Sequence, residues 1–161
     1  MIIRHSTEKD IPEILEIYKN ARSYMRENGN LEQWNSIYPG ESDVRADIES
    51  GNGYVCDDGG EVVAVFFFRV GDDVTYKTIY DGKWQNEDKY AVIHRVAVKH
   101  HGRGIIDFCF SECFKLFPNL KIDTHRDNLP MQHVLKRNGF KYCGIIHLLS
   151  GDERMAYQKI M

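Results

Sequence analysis

The chain has 161 residues, enough for one domain with a substantial core, and its 21 Lys and Arg against 24 Asp and Glu leave a formal net charge of -3. A nucleic-acid binder usually carries a basic excess to neutralise the phosphate backbone, so this balance argues against one, and any bound anion must be met by local positive charge. No apolar run approaches membrane-spanning length and the N-terminus, MIIRHSTEKD, shows no signal-peptide pattern, so a cytoplasmic protein is expected, acting without membrane or nucleic acid.

In chain order, Ile2 to Arg4 reads as a short strand, and Thr7 with Asp10 three residues on marks a helix start. Ile11, Ile14, Leu15, Tyr18, Ala21 and Met25 recur at spacings of three and four. That predicts an amphipathic helix ending near Asn28-Gly29, its apolar face in the core. Leu31 to Gly40 (LEQWNSIYPG) is a polar loop stopped by proline, and its Trp34 and Tyr38 either line a pocket or pack over the core. Ser42 to Ser50 reads as a short helix, with Val44 and Ile48 inward and Gly51 after its end.

From Tyr54 the period becomes that of sheet. Tyr54 to Asp57 and Glu61 to Val70 flank the turn Asp58-Gly59-Gly60 as a hairpin, Thr75 to Tyr80 offers a further short strand, and Asp81-Gly82 leads into Trp84 and a charged loop. The stretch Ala91 to Phe117 (AVIHRVAVKHHGRGIIDFCFSECFKLF) then runs from a β-branched strand, through Gly102 and Gly104, into apolar residues at helical spacing. A glycine turn before a helix can hold an anion on backbone N–H groups, and Lys99, His100, His101 and Arg103 add positive charge there; a plain turn would look the same. Beyond Pro118-Asn119 come a strand from Leu120 to Thr124, the loop HRDN, a helix from Leu129 to Arg137 stopped by Asn138-Gly139, and a closing hairpin of Phe140 to Leu148 with Arg154 to Ile160. This order predicts an α/β (α+β mixed) fold, a mixed sheet with helices on both faces, in a single domain over residues 1–161.

Cys56, Cys109, Cys113 and Cys143 form no CxxC pair, and Cys109 and Cys113 stand one helical turn apart among Phe108, Phe110 and Phe114, so buried free thiols are expected, not disulfides. The seven histidines show no ligand spacing, and no metal is expected. His125 and Asp127 read as a solvated loop ahead of a metal or catalytic pair.

The chain resembles the GNAT superfamily of acetyl-CoA-dependent N-acetyltransferases, over nearly its whole length in element order. That family's pyrophosphate loop, Gln/Arg-x-x-Gly-x-Gly/Ala, corresponds to His101, Gly102, Arg103, Gly104, Ile105 and Ile106: Gly104 fits the required glycine, His101 stands in for Gln/Arg, and Ile106 departs from Gly/Ala. Asp123-Thr124-His125-Arg126-Asp127-Asn128 and Asn138-Gly139-Phe140 resemble its second cofactor segment, where an Asn near Asn128 commonly touches the cofactor.

The resemblance implies a central, mostly antiparallel twisted sheet of about seven strands, with acetyl-CoA as cofactor. The fourth strand is expected to bulge and splay from the fifth at Val96, Ala97 and Val98, freeing backbone groups for the pantetheine arm. The implied activity is acetyl transfer to a primary amine of a small molecule or peptide by direct attack in a ternary complex, in a monomer or homodimer. The family builds its acceptor pocket from the first two helices, their loop and the last hairpin, which makes Trp34 and Tyr38 the substrate-binding candidates. A Glu common on the family's fourth strand corresponds closely to His94, whose ordinary pKa of about 6.5 suits a general base, though a strand histidine bonded to backbone fits equally. The family's general-acid tyrosine falls at Leu135, and nothing in the sequence places the nearby Tyr142 at a thiol. Arg95 meets either an acidic substrate group or solvent. The missing tyrosine and altered loop also permit a non-catalytic CoA-binding regulatory or sensing domain. A Rossmann dinucleotide fold lacks its third glycine, because position 107 is Asp.

Overall fold

The computed structural model describes residues 1–161. Eleven principal elements follow one another: β1 (Ile2–His5), α1 (Ile11–Glu27), α2 (Glu41–Ser50), β2 (Gly53–Asp58), β3 (Glu61–Val70), β4 (Ala91–Val98), α3 (Ile105–Leu116), β5 (Asn119–Thr124), α4 (Leu129–Arg137), β6 (Lys141–His147) and β7 (Glu153–Ile160). The seven strands form one sheet in the order β1-β2-β3-β4-β5-β7-β6. Only β4 and β5 are parallel; every other neighbouring pair is antiparallel. That pattern excludes the doubly wound parallel sheet of a Rossmann domain.

Local chemistry explains the boundaries. Asp10 accepts from the Thr7 N–H at 2.8 Å and pairs with both ends of the Arg4 guanidinium, so the turn before α1 is tied to β1. Gly51 closes α2 in the left-handed conformation, at φ +74. Thr75 to Tyr80 is not a strand. The Asp73 carboxylate accepts from the Thr75 N–H and hydroxyl, winding Val74–Tyr76 into a 3-10 turn, and only Tyr80 makes a sheet-like bridge, to Ile145. The 71–90 connection instead folds over the sheet, burying Tyr76 with Tyr90, Val92, Ile146 and Ala156.

The core has a layer on each face. On one, α3 and α4 bring Cys109, Phe110 and Leu135 against Ile93, Leu120 and Ile122. On the other, α1 and α2 bring Ile14, Tyr18 and Val44 against Val55, Val65 and Ala97. Each fully buried large apolar side chain contributes roughly 1.5–3 kcal/mol, which fixes the helices on the sheet. All four cysteines are free and buried.

Candidate active site

The site starts from a defect in the sheet. β4 and β5 pair only at Ala91↔Leu120 and Val92↔Lys121, and beyond Val92 the two strands part, leaving one edge of β4 without a partner strand. The register against β3 also slips, so that Arg95 and Val96 together face the single residue Phe66. Arg95 takes the left-handed conformation, φ +50, without being glycine. Tyr18 supports it by donating its hydroxyl to the Arg95 carbonyl at 2.9 Å. The extra residue changes which side chains share a face. Ile93, Val96 and Val98 join the α3 core, whereas His94 and Arg95 both turn toward the α1 side.

On the α3 side of the opening lies a groove of about 490 Å³. Its floor includes Val96, Ala97 and Val98, one wall comes from Ala21, Tyr24 and Met25 of α1, and the other from Met131 and Val134 of α4. Its far end is the 101–106 turn. Gly102 and Gly104 have φ near +74 and +73, and a side chain at either would meet no neighbour within 4 Å, so the turn is open above its backbone. Gly104 precedes α3, whose first-turn N–H groups lack intrahelical partners. His101 lies flat on Tyr24, rings 3.8 Å apart, and burial pulls its imidazole below the ordinary histidine value. Lys99 is paired with Glu61 at 2.7 Å, and Arg103 is exposed and does not line the groove. Positive charge at the turn is therefore lower than four basic residues suggest; His133 and Arg137 of α4, which the sequence did not single out, also line this groove. Ile105 is buried, and both it and Ile106 line the groove.

On the α1 side is a second cavity of about 680 Å³, sharing Met25, Val96, Asn128 and Met131 with the first. Trp34 and Tyr38 line it, edge to face with each other at 6.3 Å. His94 sits in its wall between two carboxylates, Nε2 2.8 Å from Asp73 Oδ2 and Nδ1 3.9 Å from Asp123 Oδ2. Burial pushes the Asp73 carboxyl up, but bonds from His94 and Thr75 more than reverse this and hold it well below the usual carboxylate range. An ionised Asp73 can only accept, so Nε2 carries a hydrogen, and in the neutral ring the lone pair then falls on Nδ1. Asp123 also accepts from the Tyr76 hydroxyl at 2.6 Å. The His94 ring is thus held by side chains, not by backbone.

Asn128 stands where the two cavities meet. It is buried, its Oδ1 caps α4 by accepting from the Met131 N–H at 3.1 Å, and its Nδ2 donates to Gln33 at 2.9 Å. Arg95 is neither a surface residue nor free. It donates to Asp47 at 2.6 Å and to the Tyr38 hydroxyl at 3.3 Å. Leu135 is fully buried in the core, so α4 presents no hydroxyl there, and Tyr142 packs on Tyr157 and lines neither cavity.

No protein-family model matches the sequence, and no curated protein matches it. Solved structures do. The crystal structure of a GNAT-family acetyltransferase from Streptococcus agalactiae 2603 superposes with a TM-score of 0.89 at 30% identity, over 99% of this chain and 95% of that one. The chain belongs to the GNAT family of acetyltransferases. It is therefore an acyltransferase, in line with the resemblance carried by the Gly104 turn and the β4 strand. A GNAT-family acetyltransferase from Listeria monocytogenes 4b F2365 (TM-score 0.72, 19% identity, 99% and 94% covered) and a ribosomal-protein-alanine N-acetyltransferase from Brucella melitensis (0.66, 20%, 100% of both chains) share the fold. No helix of this GNAT chain is long and apolar enough to cross a membrane.

Sequence reasoning did not place three polar groups here, and named Asp123 only within the cofactor segment. Asp73 and Asp123 flank His94, and Arg154, at the start of β7, lines the second cavity. Asp73 lies in a loop without hydrophobic period, and Asp123 and Arg154 sit on strands where alternation says only which face they share.

Proposed function

We propose that this GNAT acetyltransferase, acting as one domain over residues 1–161, takes acetyl from acetyl-CoA to a primary amine of a small molecule or peptide by direct attack in a ternary complex. The observation that carries this reading is the meeting of two cavities at Val96 and Asn128, one ending on the glycine turn and the other holding His94. The first groove fits the cofactor: an edge of β4 lacks a partner strand, the turn is open above Gly102 and Gly104, and N–H groups at the start of α3 await an anion. Val96, Ala97 and Val98 would hold the pantetheine arm by backbone, the amides from His101 through Ile106 the pyrophosphate, and Asn128 the junction. Bound there, acetyl-CoA supplies an acetyl group already activated as a thioester.

The protein's own residues prepare the amine. Trp34 and Tyr38 shape the acceptor cavity. An ammonium has no lone pair, so it must first lose a proton, and Nδ1 of a neutral His94 would take it. Asp73 keeps the ring oriented and, with Asp123 near Nδ1, stabilises the imidazolium that results.

Calorimetric titration with acetyl-CoA and CoA, followed by CoA-thiol release across an amine panel, tests the reading. The native protein should bind both and release thiol with some amine. Gly104→Glu, which puts a carboxylate beside the phosphate amides, should weaken binding at least ~10-fold, about 1.4 kcal/mol. Equal binding by a folded Gly104→Glu variant would return the turn to a purely structural role, and binding without thiol release for any amine would overturn the acceptor assignment.

A further inference from the structure

We propose that the amine acceptor carries a carboxylate and that Arg154 reads it. This narrows the substrate class of the acetyl-transfer reading above and rests on it. Arg154 is 7% exposed yet belongs to no ion pair. Its protein contacts are two backbone carbonyls, Glu153 O at 2.8 Å from Nη1 and Gln33 O at 3.5 Å from Nη2. A guanidinium has five N–H donors and stays charged, so most of its donors are unspent by the protein, in a residue with little exposed surface. Buried charges normally carry a counter-ion. The comparison within this molecule is Arg95, less buried than Arg154, which nevertheless has Asp47 at 2.6 Å. The carboxylates around the surface hollow on Arg154's other side, Glu32 and Asp152 among them, are exposed and do not pair with it.

Arg154 lines the same cavity as His94, Asp73 and Asp123, as well as the surface hollow. Asp123 lies opposite Ala156 in the β5–β7 ladder, and Arg154 is two residues before Ala156 on the same strand. Both side chains therefore leave the same face, offset by about 7 Å along the strand. One end of the cavity is anionic and carries the base; the other is cationic and lacks a partner. That polarity matches a small zwitterion whose ammonium meets His94 and Asp123 while its carboxylate lies in the Arg154 fork. A dianionic group such as phosphate would set its second negative charge against Asp73 and Asp123 across the cavity. Thr124 lines the cavity too, its buried hydroxyl oxygen without a hydrogen-bond partner, and supplies a further polar contact.

The test uses matched amines that differ only in that group, glycine against glycinamide and β-alanine against its amide, with aminomethylphosphonate as the dianion arm. Acetyl-CoA binding is measured in parallel on every protein. The native enzyme should favour at least one carboxylate over its amide by ~10-fold or more in kcat/KM. Arg154→Met should lose ~100-fold on that carboxylate, chiefly through KM, change the amide by less than ~3-fold and leave acetyl-CoA affinity unaltered; Arg154→Lys should recover part of the loss. Equal use of both members, an equal loss on both in Arg154→Met, preference for the phosphonate, or an enzyme that binds acetyl-CoA and acetylates none of these carboxylates each overturns the inference. Failure to bind acetyl-CoA at all is distinct, and sinks the function beneath it.

Discussion

Asp73 is the residue on which the chemistry of His94 turns. Its Oδ1 accepts from the N–H and hydroxyl of Thr75 at 2.9 and 2.6 Å, leaving Oδ2 for His94 at 2.8 Å. Asp73→Asn preserves shape and can still accept from Nε2, but it removes the charge that stabilises an imidazolium. Turnover should therefore fall by about 10–100-fold, less than the ~100–10,000-fold expected for removing the proposed base with His94→Ala. Stability carries the signature of that charge with a definite sign. A carboxyl held below its ordinary value stabilises the folded state above about pH 4 and loses that contribution as pH falls through the depressed value. The gap in unfolding free energy between native protein and Asp73→Asn should be full at neutral pH and close in acid. Rates within twofold of native from about pH 5 to 9 would reduce Asp73 to a loop staple.

At the scale of elements, two bulges shape the site, and they differ in how visible they were beforehand. The apolar period of Ala91 to Val98 and the glycines after it announced β4, the turn and α3, because strand and helix periods survive any detail of pairing. The residues' own periodicity carries no mark of the β4 bulge, which is expected at Val96 to Val98 only from the resemblance to the GNAT family and lies at Arg95 and Val96. It sits on Arg95, held at φ +50 by contacts from Tyr18, Asp47 and Tyr38, residues 48 or more positions away, so its cause is tertiary. The 71–90 connection was misread for a related reason: its aromatics alternate loosely as in a strand, but Asp73 turns the chain and Tyr76 is drawn under the loop. The second bulge, between Tyr142 and Gly144 in β6, receives this connection, since Tyr80 and Ile145 exchange N–H to carbonyl bonds of 2.8 Å in both directions. Gly144 has φ +150, and a methyl there would stand 2.6 Å from the Tyr80 carbonyl oxygen. Gly144→Ala should therefore cost about 2–3 kcal/mol and lower Tm by roughly 5–10 °C, measured by calorimetry. It should also loosen the loop that carries Asp73, so KM for the amine should rise. A Tm within about 1 °C of native would mean that the strand and loop separate without cost.

Across the whole molecule the sheet is two blocks, β1 to β4 and β5 to β7, joined by a two-residue ladder and by the core under α3. The opening between them is lined by both blocks: β4 and α1 on one side, α4 on the other. Gln33 adds a polar tie across it, accepting from Asn128 at 2.9 Å while its own loop follows α1. A ligand seated in this wedge touches both blocks at once, and its binding energy becomes folding energy by mass action. At a hundredfold excess over Kd, acetyl-CoA should add about 2.7 kcal/mol and raise Tm by roughly 5–10 °C. The location of the gain is the sharper expectation. Hydrogen exchange should slow on the β5-facing edge of β4 at Val96 to Val98, which has no partner strand, and in the first turn of α3, whose N–H groups lack helix partners, while β1 and α2, which line neither side of the groove, change little. Protection spread evenly over the sheet would show that the ligand stabilises the fold without occupying the wedge. Protection confined to the β4 edge and the α3 turn would place it between the blocks, where the acetyl group must lie to be reached from the side of His94.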